Sequence, residues 1–326
     1  MSARRVLIYF AWSRPGETNA PLTEIDDRFP ALFELRRLLY PKFEPLSDSR
    51  HFDQGIGGFL DHVQKPNFAG FVELARAKTG NPVIELERVL DDDTEQPLRW
   101  SLLEPIDTLV VISFDSARTQ QHASPDEVDA LRRFLDDPDR AVFLCPHHDI
   151  GHWVDLGPDE VRTRQEAEFL HHGDKAIPPR QAFGGFASSL LAGLGVPVEN
   201  RFGLRPAAEA DGSPAAIDVD RAADRLGLLD GVRTFNLHPH LPHLARVGGA
   251  LDKLDVLVRQ RIDPTAPPHP FSRDGRDRFD SLLQSRPAIF PGAVLVCDTT
   301  LFSSTAGGLD SLQRFWTRIV ERPRRA

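Results

Sequence analysis

A run of side chains that bind metals and transfer protons follows an apolar segment in the middle of the chain, where residues 143–153 read FLCPHHDIGHW. A thiolate is a nucleophile, an imidazole exchanges protons near neutral pH, and a carboxylate orients an imidazole or accepts a proton. Four residues of the run are therefore the predicted catalytic groups: Cys145, His147, His148 and Asp149. We expect them at a strand end, because ligand crevices of open parallel sheets lie outside the carboxyl ends of the strands.

Histidines recur in a second segment, LHPHLPHL (237–244), which also follows an apolar run. His148 and His152 are four residues apart, so one helical turn would place both on one face. His238 and His240 would share one side of an extended segment. Neutral imidazoles bind zinc and iron, and a catalytic metal lowers the pKa of a bound water toward neutrality. These two histidine pairs are the predicted ligands of a divalent transition metal, zinc or iron.

Other interpretations of these residues stay open. No spacing here matches a recognised metal signature such as H-E-x-x-H. The imidazoles would then serve as acids, bases or hydrogen-bond donors to a substrate, or would have a structural role. Cys145 as a nucleophile needs a nearby base and a lowered pKa, and a cysteine that ends an apolar strand is otherwise a small core residue. Cys297 and Asp298 form a third group, at the end of the last strand-like run.

The segment after the first strand-like run, residues 11–28, is a further source of substrate contacts, because long loops at strand ends often bind ligands. Its polar side chains include Arg14, Glu17 and Asn19, and Trp153 would form a wall of the same crevice. These four residues are the predicted substrate-binding set. The alternatives are a solvated loop and, for the tryptophan, packing in the core.

Strand-like and helix-like runs alternate along the chain. Compact apolar runs predict strands at 6–11, 106–114, 141–145, 232–237, 254–260 and 293–298. Helical spacing of apolar residues and capping signals predict helices at 29–40, 68–78, 124–135, 158–172, 181–195 and 309–321. In the helix at 124–135, Ser124 is the N-cap, Pro125 fits the first position and Glu127 completes a capping box. This alternation predicts an α/β fold with a mostly parallel sheet and helices on both faces.

The pattern of three stretches resembles the class I glutamine-amidotransferase-like superfamily, nearest to its ThuA-like and uncharacterised branches. The stretches are DTLVVISF and SPDEVDALRRFLDDPDRAVFLCPHHD within 107–149, SSLLAGLGVPVENRFGL at 188–204, and AVLVCDTTLFSSTAGGLDSLQRFW at 293–316. The resemblance implies a doubly wound, flavodoxin-like α/β sheet.

The chain departs from the family pattern at the place where amidotransferases carry the nucleophile of their glutaminase activity. Amidotransferases place their nucleophile in a G-x-C-x-G elbow, whose glycines permit a sharp strand-to-helix turn. This chain reads Leu144-Cys145-Pro146 at the equivalent place, so glutaminase activity is not expected. ThuA-like members have a histidine just past this strand, and the resemblance assigns that place to His147 or His148.

Composition and charge argue against several classes of binding partner and cellular location. The formal net charge of −9 argues against nucleic-acid binding, and the arginines at Arg4–Arg5 and in the tail RPRRA are expected to be solvated. No apolar run reaches the roughly 18 residues of a membrane span, and the N-terminal stretch lacks the apolar core of a signal peptide. Two cysteines fit a reducing compartment, so the predicted location is cytoplasmic. Gly184–Gly185 and Gly307–Gly308 lack nucleotide-binding spacing, so neither ATP nor NAD is expected.

Together these observations predict one amidotransferase-like α/β domain over residues 1–326, with loop elaborations at 12–28, 87–105, 146–180 and 262–290. The leading hypothesis is a hydrolase-like enzyme that acts on a small polar metabolite by hydrolysis or a related addition–elimination in a histidine-rich crevice. The alternative is a non-catalytic ligand-binding or assembly module on the same fold. The expected partner is a small-molecule substrate, with no nucleic acid and no membrane, and a homo-oligomer stays open.

Overall fold

The computed structural model describes residues 4–18, 65–115, 119, 121–147, 159, 184–266, 270–272 and 274–324. Within these ranges the strands are β1 (Val6–Ser13), β2 (Ile84–Val89), β3 (Thr108–Ser113), β4 (Ala141–Pro146), β5 (Val198–Glu199), β6 (Asp218–Val219), β7 (Ala245–Arg246), β8 (Leu254–Arg261), β9 (Arg278–Ser285) and β10 (Ala293–Cys297). The helices are α1 (Arg14–Thr18), α2 (Lys65–Asn67), α3 (Ala69–Thr79), α4 (Trp100–Leu103), α5 (Pro125–Leu135), α6 (Gly185–Gly193) and α7 (Leu309–Glu321). Short 3-10 turns lie at Gly248–Ala250, Pro270–Ser272 and Thr299–Phe302.

Eight strands in the described part of the chain form one sheet, in the order β2-β1-β3-β4-β10-β9-β8-β6. The first five strands of this order, β2-β1-β3-β4-β10, are parallel to one another. The last three pair antiparallel: β9 with β10, β8 with β9, and β6 with β8. Strands β5 and β7 pair separately. The sheet is large, mixed and mostly parallel, so the predicted α/β class is confirmed.

Both faces of the sheet are covered, which explains why its central strands are continuous apolar runs. In β1, Val6, Ile8 and Phe10 belong to one core, whereas Leu7 and Tyr9 belong to the other. This alternation follows from the two-residue period of a strand. Helices α3 and α7 pack into the first core, and α4, α5 and α6 pack into the second. Helices therefore lie on both faces.

Several predicted helices are present in the described ranges: α3, α5, α6 and α7 match the predictions at 68–78, 124–135, 181–195 and 309–321. The capping box of α5 is complete, because Ser124 Oγ accepts the Glu127 N–H (3.3 Å) and the Glu127 carboxylate accepts the Ser124 N–H (2.9 Å). The segments 29–40 and 158–172 lie outside the described residues, apart from residue 159. No helix in the described ranges has the length and apolar character needed to cross a membrane.

The segment 232–237, predicted as a strand, does not form one. Val232 and Phe235 are buried, as they would be in a strand. The backbone, however, binds loop partners: the Thr234 N–H, for example, donates to Ser311 Oγ at 3.1 Å. The prediction was wrong because a few apolar residues among polar ones are equally compatible with a buried irregular segment.

Residues 262–290, predicted as a loop elaboration, contain the strand β9. This strand lies between β10 and β8, and Leu283 pairs with Val296 on one side and Val256 on the other. Its sequence, RFDSLLQS, mixes polar and apolar residues without a clear period, so it resembles neither a buried nor a half-buried strand. Residues 87–105, whose first part is also compatible with a short strand or hairpin by sequence, include the end of β2 and the helix α4. Parts of both predicted elaborations are therefore regular structure.

Arg4 and Arg322, expected to be solvated near the chain ends, are buried. The Arg322 guanidinium donates to Thr108 Oγ1 (2.6 Å) and to the Ile319 carbonyl (2.7 Å), and Arg4 Nε donates to the Arg322 carbonyl (3.1 Å). Burial, together with the charge of Arg4, lowers the pKa of Arg322 to about 9. These contacts join the start of β1 to the end of α7, at the amino ends of the parallel strands.

Candidate active site

Two neighbouring parallel strands, β4 and β10, bring chemically active residues to the same edge of the sheet. Leu144 of β4 pairs with Val296 of β10. His147 directly follows β4, and Asp298 directly follows β10. Because parallel strands end on the same side, these two side chains converge at the carboxyl edge, where ligand crevices of such sheets lie.

His147 is held by contacts on several sides. Its Nδ1 atom lies 3.2 Å from Asp298 Oδ2 and 3.3 Å from Thr299 Oγ1. Its backbone carbonyl accepts a hydrogen bond from Asn200 Nδ2, and the centroid of the Phe114 ring lies 4.9 Å from that of the imidazole. The residue is 5% exposed. These contacts fix the imidazole in one orientation, in which Nδ1 is within hydrogen-bond distance of the Asp298 carboxylate.

Asp298 is a buried carboxylate whose two oxygens have different partners. Oδ1 accepts the backbone N–H of Thr300 (2.8 Å) and its hydroxyl (2.5 Å), while Oδ2 faces His147. Burial by itself would raise the pKa of Asp298, but the imidazoles of His147 and His238 and these hydrogen bonds outweigh it and lower the pKa below its ordinary value. The carboxylate is therefore ionised at neutral pH. A proton on His147 Nδ1 completes the hydrogen bond of the Asp298–His147 dyad.

The second histidine group meets the first. The ring centroids of His147 and His238 are 5.4 Å apart, and those of His238 and His240 are 5.6 Å apart. Asn236 links this segment to the dyad, because its Nδ2 donates to Thr300 Oγ1 (3.0 Å) and its Oδ1 accepts the His238 N–H (3.2 Å). Two histidines from distant stretches of the chain therefore lie in contact at one sheet edge.

The predicted metal ligands are partly covered by the structure. His238 and His240 lie at the site, whereas His148 and His152 lie outside the described residues. Among the residues that the structure does describe, no group of three or more His, Cys, Asp and Glu side chains is arranged to hold a metal ion. A metal centre that includes the two remaining histidines stays a prediction.

Cys145, predicted as a nucleophile, lies in the core. It is fully buried, and its Sγ atom lies 3.6 Å from Cys297 Sγ. Burial, together with the neighbouring Cys297 thiol and Asp298 carboxylate, raises the pKa of Cys145 well above its usual range. A nucleophilic thiol needs solvent access and a lowered pKa, so this environment fits a core cysteine. Asp149, predicted beside it, lies outside the described residues.

Arg14, predicted to contact substrate, forms a buried ion pair with Glu87 of β2. Its Nη2 donates to Glu87 Oε1 at 2.8 Å, and its Nε donates to the other carboxylate oxygen. Lys65 Nζ (2.7 Å) and Trp12 Nε1 (2.8 Å) donate to the same carboxylate. Burial opposes ionisation, but the donors Arg14, Lys65 and Trp12 outweigh it and lower the pKa of Glu87 to about 2. This cluster fastens the end of β1 to β2, which is a structural role for Arg14.

The structure does not describe the side chains of the other three predicted substrate-binding residues. Asn19 and Trp153 lie in segments that the structure does not describe, and for Glu17 the backbone alone is described, as part of α1. Their contact with substrate stays a prediction.

Sequence reasoning missed several residues that hold the site together. Asn200 and Asn236 fix the two histidine segments through the hydrogen bonds given above, and an isolated loop asparagine has no sequence signature. Asp115 Oδ2 accepts a backbone N–H at the start of α6 (3.0 Å). Gly184 has a φ of 84°, and a Cβ added there would lie 2.5 Å from Pro146 Cβ. The glycine pair dismissed as a nucleotide loop is instead the place where α6 approaches the end of β4.

Comparisons with known proteins add no family to this description. No protein-family model matches the chain, and no curated protein matches it.

Proposed function

We propose that this chain is an enzyme in which His147 acts as a general base and Asp298 holds it in the required tautomer. The reaction class is hydrolysis, or a related addition–elimination, of a small polar metabolite. The observation that carries the proposal is the 3.2 Å contact between His147 Nδ1 and the buried Asp298 Oδ2.

The chemistry of the dyad follows from its hydrogen bond. A carboxylate on Nδ1 keeps the proton of the neutral imidazole on that nitrogen and leaves the lone pair on Nε2. That lone pair accepts a proton from water or from a substrate hydroxyl, and the carboxylate stabilises the imidazolium that forms. The lowered pKa of Asp298 keeps its charge available for this role. A positioned base of this kind accelerates a reaction by about 10²–10⁴-fold.

The strand order supports the finer part of the fold proposal, a doubly wound, flavodoxin-like sheet. Strands β2-β1-β3-β4-β10 follow the 2-1-3-4-5 order of that fold, whose ligands bind outside the carboxyl ends of the strands. The dyad lies at this edge, and the amidotransferase-like sequence pattern favours the same fold. Because Cys145 is buried, the proposal does not include thiol chemistry.

A non-catalytic ligand-binding module is the second candidate. The observation that favours it is the 5% exposure of His147, since a general base must reach its substrate. The two candidates differ in what they predict for turnover: an enzyme turns over a bound ligand and loses that turnover in H147N, whereas a binding module has no turnover to lose.

The test begins with a ligand. A thermal-shift screen of small polar metabolites identifies binders, because a ligand that binds only the native state raises its apparent stability. Each binder is then assayed for turnover with the wild type, H147N and H122N. Asparagine at position 147 keeps an N–H donor for Asp298 but has no base at the Nε2 position. His122 is an exposed histidine and serves as the matched control.

We expect H147N to keep the thermal shift of the ligand and to lose turnover by about 10²–10⁴-fold, while H122N behaves as the wild type. Turnover by H147N at the wild-type rate would remove His147 as the base. Ligands that bind the wild type and are never turned over would favour the non-catalytic module.

A further inference from the structure

His238 has the opposite hydrogen-bond pattern to His147. Its Nδ1 atom accepts the backbone N–H of His240 at 3.3 Å. An N–H that donates to Nδ1 requires a lone pair there, so the neutral ring of His238 carries its proton on Nε2. In His147 the carboxylate of Asp298 faces Nδ1, so the proton is on Nδ1 and the lone pair is on Nε2.

The two rings are fixed beside each other. Their planes meet at 70°, with 5.4 Å between the centroids. Asn236 Oδ1 accepts the His238 N–H, Asn236 Nδ2 donates to Thr300, and the Thr300 hydroxyl donates to Asp298. A continuous set of hydrogen bonds thus runs from the backbone of His238 to the ring of His147. His238 is also partly exposed, which suits a side chain that contacts a ligand.

We propose that the substrate is a carbonyl compound, such as an ester, lactone or amide, and that His238 Nε2–H is the hydrogen-bond donor to its carbonyl oxygen. This inference rests on the proposed base role of His147. A carbonyl group attacked by water needs both partners at once: a lone pair that takes a proton from the water, and an N–H that stabilises the charge growing on oxygen.

The reaction balances with water as the sole co-reactant. One O–H bond of the water breaks, and its proton moves to His147 Nε2. The water oxygen bonds to the carbonyl carbon, and the π electron pair moves onto the carbonyl oxygen, which accepts the His238 N–H. That pair then re-forms the C=O bond, and the leaving group departs with the proton held by His147. Both imidazoles return to their starting tautomers.

The same tautomer makes His238 a poor metal ligand. Coordination through Nε2 would move the ring proton to Nδ1, where it would face the donating N–H of His240. Two donors in contact leave both hydrogen bonds unmade, which disfavours that tautomer. The donor role avoids this conflict.

Nitrogen NMR of the imidazole rings tests the tautomers without any substrate. Long-range ¹H–¹⁵N correlation spectra of the full chain in mildly alkaline buffer separate protonated from unprotonated ring nitrogens, and H238Q and H147N assign the two rings. We expect a proton on Nε2 of His238 and on Nδ1 of His147. A proton on Nδ1 of His238 would overturn this inference and leave the base role intact. A proton on Nε2 of His147 would overturn the proposed function instead.

The ester 4-nitrophenyl acetate tests the substrate class with the same protein. H238F removes the donor, whereas H238Q keeps an amide N–H near the Nε2 position. Loss of one such donor lowers a rate by about 10²–10³-fold, so we expect that loss of kcat in H238F, a smaller change in KM, and recovery of most of the rate in H238Q. Wild-type hydrolysis no faster than that of free imidazole, or an unchanged rate in H238F, overturns the carbonyl assignment. The tautomer measurement uses the wild type, so it decides the role of His238 even where H238F is unstable.

Discussion

Asp298 Oδ2 lies 3.2 Å from His147 Nδ1, although 151 positions separate the two residues in the chain. The contact exists because β4 and β10 are parallel neighbours, so the residues that follow them emerge at the same edge. The other oxygen, Oδ1, is held by the N–H and the hydroxyl of Thr300. A carboxylate fixed through both oxygens determines which nitrogen of the imidazole carries the proton.

Asp298→Asn should reverse the tautomer of His147. The two Thr300 donors require an acceptor at the Oδ1 position, so the amide oxygen takes that place and the NH₂ group faces His147. Nδ1 of His147 must then accept, and its proton moves to Nε2. We expect turnover to fall by about 10²–10⁴-fold, the contribution of a general base. Nitrogen NMR of the His147 ring should show the exchange of protonated and unprotonated positions.

Asp310→Asn is the matched control, because Asp310 is an exposed carboxylate in the first turn of α7. It should change neither turnover nor the His147 ring signals. A D298N protein that keeps the wild-type rate and the wild-type tautomer would mean that Asp298 serves as a cap of the following turn and nothing more.

Glu87 should stabilise the folded protein over a defined pH range. Its pKa in the folded state is about 2, against an ordinary value of 4.5, so its stabilisation is complete above pH 4.5 and is lost as the pH falls toward 2. At neutral pH we expect Glu87→Gln to lower the free energy of unfolding by about 3 kcal/mol, since Arg14 and Lys65 lose a buried counter-charge. Urea melts at neutral pH and at mildly acidic pH below 4.5 measure the effect, and the difference between wild type and variant should shrink in acid.

Glu85→Gln is the control on the same strand. Glu85 is exposed and pairs with the exposed Arg76 at 3.3 Å. Surface ion pairs contribute about 0–1 kcal/mol, so the control should lie near the wild type at every pH. Equal losses for the two variants would contradict a special role for the buried cluster.

Elements specified by neighbouring residues were predictable from the sequence. The capping box of α5 needs Ser124 and Glu127 three positions apart, and the buried run of β1 needs only consecutive apolar residues. The segment 232–237, VRTFNL, is half polar and pairs with no strand among the described residues. Its backbone instead binds groups such as Ser311, far along the chain. Hydrogen bonds between distant segments have no local signal.

For the site too, the features that depend on neighbouring residues were predictable, and the contacts between distant segments were not. The density of histidines after apolar runs pointed to His147 and His238. The role of Asp298 depends on β10 lying next to β4, and the ion pair of Arg14 depends on β2 lying next to β1. Strand order of this kind follows from packing of the whole sheet. The sequence therefore placed Asp298 at a strand end, but the contact of Asp298 with His147 and that of Glu87 with Arg14 could not be predicted from residue spacing.

Cys145 should be unreactive in the folded protein. Its side chain is fully buried, and burial raises its pKa well above the usual range, so thiolate is scarce at neutral pH. A disulfide reagent that releases a chromophore should label the native chain slowly and should count both cysteines of the sequence after denaturation. Fast labelling of native Cys145, identified by peptide mass, would restore the thiol as a candidate nucleophile.

Gly184→Ala should destabilise the protein through a contact next to His147. Gly184 has a φ of 84°, and an added Cβ would lie 2.5 Å from Cβ of Pro146, the residue directly before His147. Gly212 is the matched control, because its φ is 81° and no atom of the described residues lies within 4 Å of an added Cβ. Both alanine variants incur left-handed strain of about 1–2 kcal/mol, and overpacking adds about 1–3 kcal/mol to G184A alone. Urea unfolding should separate the variants by that second amount, with the His147 ring signals shifted in G184A. If G184A and G212A lost the same free energy of unfolding, the end of β4 would move aside without cost, and it would not hold the dyad in place.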